Sequence, residues 1–166
     1  MSNDSWETPQ YLFDQLNEEF HFDVDLCATQ ENTKCKEYGI DYLNDRFSNP
    51  PYGFYWISGR RQTAFMNPPY SNPLPFVQKA WEDSKYCKIV MLLPVRTSTR
   101  WWKIFYYSDN FIRQEVNDRY RVNGYGPKPG AEVRFLPKRV AFVKDGKEVK
   151  GTSFDSCLVI LDRRNK

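Results

Sequence analysis

Apolar residues occur along the chain in two patterns. One is helical spacing, the other is a short run that is continuous or alternates with polar residues, and segments of the two kinds alternate along the chain. Helical spacing predicts helices over residues 9–20, 75–86 and 99–107. Short apolar runs predict strands over residues 22–28, 63–66 and 88–94. Thr8 is expected to cap the first helix, with Pro9 in its first position. The alternation predicts an α/β fold whose ligands bind at the carboxyl ends of parallel strands.

The last part of the chain changes character. Residues 139–143 and 154–161 predict two strands around a turn, which would form an antiparallel hairpin at the edge of a mostly parallel sheet. Residues 44–62 and 113–138 contain Pro, Gly, Asn and Arg without periodicity, and we expect them to be long functional loops. The length of 166 residues predicts a single domain over residues 1–166.

Charge is distributed unevenly along the chain. There are 24 Lys and Arg against 21 Asp and Glu, a net charge of +3. The acids concentrate in residues 4–45 and the bases in residues 96–139, so we expect one basic face that suits a polyanion. No apolar run approaches the roughly 18 residues of a membrane span, and no secretory signal is visible. These features predict a soluble, cytoplasmic protein without a membrane partner.

Cysteine and histidine are too few and too scattered for several common kinds of catalysis. The four cysteines form no Cys-x-x-Cys pair, and His21 is the only histidine. We therefore expect no metal site, no Ser-His-Asp triad and no covalent attack by a cysteine. The chemistry must depend on other groups.

The tetrapeptide Asn67-Pro68-Pro69-Tyr70, directly after a predicted strand, carries the clearest chemical signal. The Asn67 side-chain oxygen and the Pro68 carbonyl can accept both hydrogens of a primary amine, which directs the nitrogen lone pair at an electrophile. Pro68 and Pro69 stiffen the turn, and Tyr70 is expected to stack face-on against an aromatic base. The alternative is a proline-stiffened strand exit without chemistry.

The same four residues occur a second time, as Asn49-Pro50-Pro51-Tyr52. Residues 44–48 before this copy are polar and do not form an apolar strand, whereas the strand over 63–66 precedes Asn67. We therefore expect Asn67-Pro68-Pro69-Tyr70 to be the catalytic copy and Asn49-Pro50-Pro51-Tyr52 to be an active-site loop or a plain turn.

An ordered set of segments resembles the phage and prophage DNA N6-adenine methyltransferases of the Dam type. The matching segments are Trp6-Glu7-Thr8-Pro9, residues 22–28 with Asn32 and Lys34, residues 65–71, residues 92–97 with Trp101-Trp102, residues 139–142 and residues 154–156. The resemblance covers most of the chain apart from the two irregular loops. Asn-Pro-Pro-Tyr alone is typical of amino-group methylation in general, and only the ordered set points to this family.

The resemblance implies a class I S-adenosylmethionine-dependent methyltransferase with a Rossmann-like fold. The cofactor-binding residues that it implies are Trp6, Thr8, Pro9, Asp25, Cys27 and Ala28. A helix start supplies N–H groups to a carboxylate, and an acid at a strand end can bind an amino or hydroxyl group, although a plain cap and a solvated acid are the alternatives. Asp45 and Phe47 are further candidates, for the edge and the face of the cofactor's adenine. The chain departs from many class I enzymes because no Gly-x-Gly loop follows Asp25.

Basic residues of the second half alternate with aromatic residues, a pattern typical of a surface that contacts phosphates and stacks on bases. The DNA-binding candidates are Arg96, Thr97, Arg100, Arg119, Arg121, Lys128 and Arg139. The alternative for any one of them is an ordinary solvated side chain.

These observations predict a DNA adenine-N6 methyltransferase that acts on a base flipped out of double-stranded DNA. The competing hypotheses are methylation of cytosine N4, RNA or a protein amide, and a catalytically silent DNA-binding protein on the same fold. With no nucleophilic dyad in the sequence, we expect the amine nitrogen to attack the methyl group directly.

Overall fold

The structure is a computed structural model that describes residues 3–44, 46–47, 62–106, 126–149 and 152–164. Its helices are α1 (Gln10–Phe20) and α2 (Leu74–Asp83). Its strands are β1 (Val24–Asp25), β2 (Glu37–Asp41), β3 (Arg46–Phe47), β4 (Thr63–Met66), β5 (Lys88–Pro94), β6 (Ala131–Phe135), β7 (Val143–Lys144), β8 (Lys147–Glu148) and β9 (Ser156–Leu161). Both helices and the four strands β1, β4, β5 and β9 thus lie where the sequence pattern predicts them.

Within the described part of the chain, seven strands form one sheet in the order β3-β2-β1-β4-β5-β9-β6, and β7 pairs with β8 in a separate hairpin. The four strands β2, β1, β4 and β5 are parallel to one another. Strand β3 is antiparallel to β2, and β9 is antiparallel to both β5 and β6. The predicted α/β class with a mostly parallel sheet is confirmed.

Both faces of the sheet are covered, which explains the continuous apolar run of β5. Side chains alternate along a strand, so Val90 and Leu92 pack on the face covered by α1, while Ile89, Met91 and Leu93 pack on the face covered by α2. All five are buried. The carboxyl ends of β1 and β4 are left side by side, since Asp25 pairs with Phe65 in the parallel ladder.

The start of α1 differs slightly from the prediction, whereas its end agrees with it. Pro9 is the N-cap residue instead of the first helical residue, and Thr8 makes no capping bond. At the other end the chain takes a left-handed conformation at His21, with a φ of 52°. The Asn17 carbonyl accepts from His21 N, and the Asn17 side chain accepts from Phe22 N at 2.8 Å. These bonds end the helix at Phe20.

The helix predicted over residues 99–107 is wrong within its described part. The chain forms only a 3₁₀ turn over Trp102–Ile104. Before it, Thr99 donates both its N–H and its hydroxyl to the Arg96 carbonyl, at 3.1 and 2.7 Å. A side chain that bonds its own local backbone in this way stabilises a turn in place of a helix.

The pairing predicted for the C-terminal strands is also wrong. The edge partner of β9 is β6, which lies inside the segment predicted to be a loop, and residues 139–142 form no strand. Backbone carbonyls of this segment accept hydrogen bonds from outside the sheet: Val140 O accepts from the Thr152 hydroxyl, and Phe142 O accepts from Val149 N. The hairpin of β7 and β8 has only two residues on each side.

Strand β2 was not predicted, and its Gly39 explains why. Glycine is unfavourable in strands, so the pattern gave no strand signal there. In the fold a Cβ at position 39 would lie 2.5 Å from the Leu26 carbonyl oxygen, so only glycine allows β2 to lie this close to the end of β1. Among the described residues, no helix combines the length and the apolar character needed to cross a bilayer.

Candidate active site

The segment Asn67-Pro68-Pro69-Tyr70 begins directly after β4, at the carboxyl edge of the sheet. The neighbouring strand β1 ends there with Asp25, and the N-terminal residues lie beside both. Together they line a cavity of about 40 Å³, whose lining residues are Asp4, Ser5, Trp6, Glu7, Thr8, Asp25, Cys27, Asn32, Lys34, Phe65 and Asn67. Residues that are far apart in sequence thus meet at the edge where an α/β sheet binds its ligands.

Asn67 is half-buried and its amide has a defined orientation. Its Nδ2 donates to the backbone carbonyl of Trp6 at 2.9 Å. Because a carbonyl accepts only from the NH₂ end of an amide, Oδ1 is the end that stays available as an acceptor. The Pro68 ring next to it is buried and its φ is fixed. Asn67 Oδ1 is one of the two acceptors that the sequence predicts for a primary amine, and the role of the other, the Pro68 carbonyl, stays a prediction.

Tyr70 is placed differently from the prediction. Its side chain is 6% exposed, and its hydroxyl donates to the Leu92 carbonyl at 3.1 Å. Phe142 and Phe154 meet the ring edge-on, with centroids 5.8 and 5.7 Å away. Burial also raises the pKa of the Tyr70 hydroxyl well above its usual value. In this structure the ring does not present an open face to a base, and it connects the loop to the core.

Asp25 is an acid of the cavity whose pKa is strongly raised. Its side chain is 4% exposed, and burial raises its pKa from 3.8 to about 6. The backbone N–H groups of Lys34 and Cys27 donate to the carboxylate and offset part of this shift. A buried acid with only partial compensation at the end of a strand is typical of a ligand-binding position.

Thr8 supplies a second polar group with unused capacity. The side chain is buried, and its Oγ1 has no hydrogen-bond partner among the described residues. A buried hydroxyl without a partner is costly, which indicates a ligand that completes it. Helix α1 begins two residues later, so its N-terminal N–H groups lie close by.

The other residues implied for the cofactor have several different positions. Trp6 and Cys27 line the cavity with Thr8 and Asp25, whereas Pro9 and Ala28 are buried outside its lining. Asp45 lies outside the described residues. The backbone of Phe47 is in β3, and its side chain lies outside what the structure describes. Asn49-Pro50-Pro51-Tyr52 also lies outside the described residues.

The four thiols are all unsuited to nucleophilic attack. Burial raises the pKa of Cys35 and of Cys157 to about 12, and it raises those of Cys27 and Cys87 above their usual value as well. Since the thiolate is the nucleophilic form, each thiol is protonated and unreactive near neutral pH.

The DNA-binding candidates lie in several separate parts of the chain. Arg100 and Lys128 line a groove of about 790 Å³ that follows α2, together with Lys79 and Lys103. Arg96 and Thr97 are exposed in the turn after β5. Arg139 is exposed and bonded to the Thr152 carbonyl at 3.2 Å and to the Asp155 carboxylate at 3.4 Å. Arg119 and Arg121 lie outside the described residues.

Sequence reasoning left Asp4, Asn32 and Lys34 without an assigned role, although all three line the cavity. The Asn32 side chain accepts from Thr29 N at 2.7 Å and shapes the turn after β1. Lys34 contributes through its backbone N–H, 3.3 Å from Asp25 Oδ2. Because Lys34 acts through its backbone N–H, its residue type gives no indication of this role.

Comparisons with known proteins identify the family of the chain. A family model described as DNA N-6-adenine-methyltransferase (Dam) matches residues 1–166. The DNA N-6-adenine-methyltransferase of Haemophilus phage HP1 is 34% identical over 150 residues, which cover 81% of this chain and 80% of that protein. The enzyme of the same description from Escherichia phage T1 is 33% identical over 101 residues, or 60% of this chain and 39% of that protein. No solved structure matches the chain. The chain belongs to the Dam family of DNA N-6-adenine-methyltransferases.

Proposed function

We propose that the protein transfers a methyl group from S-adenosylmethionine to the exocyclic amine of adenine in double-stranded DNA. The observation that carries the proposal is the oriented amide of Asn67, with Nδ2 bonded to Trp6 and Oδ1 available, next to a cavity that contains Asp25 and Thr8. Family membership favours adenine in DNA over cytosine, RNA or a protein amide.

In this proposal the amine is activated by position. Asn67 Oδ1 and the Pro68 carbonyl accept its two hydrogens, so that the nitrogen lone pair points away from the loop. The target base must leave the helical stack to reach them, as in other enzymes that modify a base. Because the thiols of this chain are protonated, the residues favour direct attack by the amine without a covalent enzyme intermediate. Tyr70 stiffens the loop through Leu92.

The residues of the cavity fit one end of the proposed cofactor. S-adenosylmethionine would supply the electrophilic methyl group and carries a carboxylate, an amino group and ribose hydroxyls. The Thr8 hydroxyl and the N–H groups at the start of α1 suit the carboxylate, and Asp25 suits an amino or hydroxyl group. A cavity of about 40 Å³ takes only such an end group, so most of the cofactor would extend beyond it.

Nucleoside analysis tests the proposed reaction. DNA lacking methylated bases, treated with protein and S-adenosylmethionine and then digested, is expected to contain N6-methyldeoxyadenosine by mass spectrometry. N4-methyldeoxycytidine alone would contradict the target base. The absence of a methylated nucleoside together with no binding of S-adenosylmethionine by calorimetry would instead indicate a silent DNA-binding protein.

The groove along α2 is the part of the proposed DNA surface that the described residues define best. Its lining includes the cations Lys79, Arg100, Lys103 and Lys128, with Glu82 as an acid that is bonded to Lys85. The groove comes near the carboxyl edge of the sheet at Pro75 and Arg100, because α2 follows the loop of Asn67 and Arg100 follows β5. A groove lined by several cations suits the phosphates that flank a target base.

Salt dependence tests this groove. Affinity for a DNA duplex should fall linearly with salt on a log–log plot, and the variants Arg100→Ala and Lys103→Ala should each reduce the slope by about 0.9, the contribution of one neutralised phosphate. Lys147→Ala, at the exposed start of β8, is the matched control and should keep the wild-type slope. Unchanged slopes in both groove variants would contradict phosphate contact there.

A further inference from the structure

Residues 67–71 form the first part of the connection between β4 and α2, and we call them loop 67–71. The segment of residues 4–8, which we call the N-terminal strap, is bonded to both ends of this loop. At the start of the loop, Asn67 Nδ2 donates to the Trp6 carbonyl at 2.9 Å. At its end, Ser71 donates its N–H and its hydroxyl to the Asp4 carboxylate, at 2.9 and 2.7 Å. One short segment therefore holds the first and the last residue of loop 67–71.

The strap is itself anchored to a different part of the fold. Glu7 and Val143 exchange two backbone hydrogen bonds of 2.7 and 3.0 Å. The Trp6 ring packs against Phe142 and lies stacked on Phe154, with centroids 5.5 and 5.9 Å away. The strap is therefore fixed to the rest of the fold, and the loop is held against it.

This arrangement bears on the chemistry because an asparagine amide has two unlike ends. Only Oδ1 can accept a hydrogen from the target amine, and an amide rotated by 180° would present its own NH₂ to that amine. In the rotated state Asn67 Oδ1 would also face the Trp6 carbonyl oxygen, and two acceptors would repel each other. The position of the strap thus decides which end of Asn67 meets the substrate.

Trp6 acts through its backbone carbonyl, which no side-chain substitution removes. The attachment that a substitution can remove is the one between Asp4 and Ser71. Both of its bonds have a carboxylate as acceptor, which makes them stronger than bonds between neutral groups. Asp4 is exposed and is not required to fill the core.

We propose that Asp4 is a positioning residue for methyl transfer. By holding Ser71 it keeps the loop against the strap, so that the Trp6 carbonyl keeps Asn67 Oδ1 directed at the amine. Asp4 does not touch the reacting atoms. The inference rests on the proposed function, because it assigns Asp4 a part in the same reaction.

Single-turnover methylation at saturating DNA and cofactor tests the proposal. Asp4→Ala is expected to lower the transfer rate about tenfold, a barrier increase of about 1.4 kcal/mol. Although Asp4 lines the cavity, both its carboxylate oxygens accept from Ser71, so the dissociation constants for S-adenosylmethionine and DNA should stay within twofold of wild type. Ser71→Ala keeps the backbone bond and should lose about threefold, and Ser71→Thr, which restores a hydroxyl, should recover the rate. Asp14→Asn is the control and should keep the wild-type transfer rate, because Asp14 is an exposed acid on α1 that is bonded locally, to Gln10.

A double variant distinguishes positioning from a general structural role. If Asp4 and Ser71 act through one contact, Asp4→Ala with Ser71→Ala should be no slower than Asp4→Ala alone. Multiplied losses, a rate for Asp4→Ala within twofold of wild type, or a loss confined to cofactor affinity would each overturn the proposal. If Asp4→Ala does not fold by circular dichroism, the comparison of Ser71→Ala with Ser71→Thr decides the question. A wild-type protein that forms no N6-methyladenine would contradict the proposed function itself.

Discussion

Asn67→Ala is expected to abolish measurable methyl transfer, with a loss of about 10²–10³-fold or more in kcat, while cofactor binding is retained. The reason is that alanine removes the acceptor that orients the amine, and removal of one preorganised hydrogen-bonding group at a reacting centre has effects of about this size. Single-turnover transfer to DNA and calorimetric binding of S-adenosylmethionine measure the two quantities separately.

Asn49→Ala is the matched control, because it changes the same residue in the other copy of the tetrapeptide. It should retain substantial activity, since the apolar strand β4 precedes Asn67 and places that residue beside Asp25. An inactive Asn49→Ala together with an active Asn67→Ala would show that the catalytic copy is the first one. Inactivity of both would mean that residues 49–52 also take part in the reaction.

Asp25→Asn is expected to stabilise the protein above pH 6 and to weaken cofactor binding. Burial raises the pKa of this carboxyl from 3.8 to about 6 in the folded state, so the folded protein binds the proton more tightly than the unfolded chain does. The contribution of this carboxyl to the free energy of unfolding is therefore complete below about pH 4 and is lost as the pH rises to 6. At about 1.36 kcal/mol for each pKa unit, ionisation above pH 6 lowers the free energy of unfolding by up to about 3 kcal/mol.

Thermal unfolding across pH measures this effect. The Tm of Asp25→Asn should exceed that of wild type by several degrees at pH 8, by less at pH 5 and not at all at pH 3.5, since a domain of this size shifts by about 2–4 °C for each kcal/mol. Asp14→Asn, on the exposed side of α1, should show no such trend. A stability difference that does not depend on pH would contradict the raised pKa.

The same variant should bind S-adenosylmethionine at least tenfold more weakly at pH 8, because it lacks the negative charge that pairs with an amino group or accepts from hydroxyls. Gained stability together with lost affinity is typical of a buried charge kept for binding. Unchanged affinity would remove Asp25 from the cofactor site and leave its burial without a functional reason.

The local sequence determined the parts of the fold whose signals lie within a few residues. Strand β5 is apolar at almost every position because both its faces are covered, and the pattern alone predicts it. The position of Asn67 at the end of β4 follows from an apolar run that two prolines end. The family, too, was evident from the order of short segments, which needs no tertiary information.

Only the tertiary structure decided which distant groups meet. Nothing in the local pattern joins Asp4 to Ser71 or Trp6 to Asn67, since more than 60 residues separate each pair. Strand β6 is half-exposed and has a weak pattern of its own, so its pairing with β9 decides its conformation. The sequence is compatible with an open stacking position for Tyr70. In the fold its ring is buried, because the Leu92 carbonyl accepts from its hydroxyl within the aromatic cluster. Residue types determine what a group can do, but neighbours brought together by long-range packing determine whether it does so.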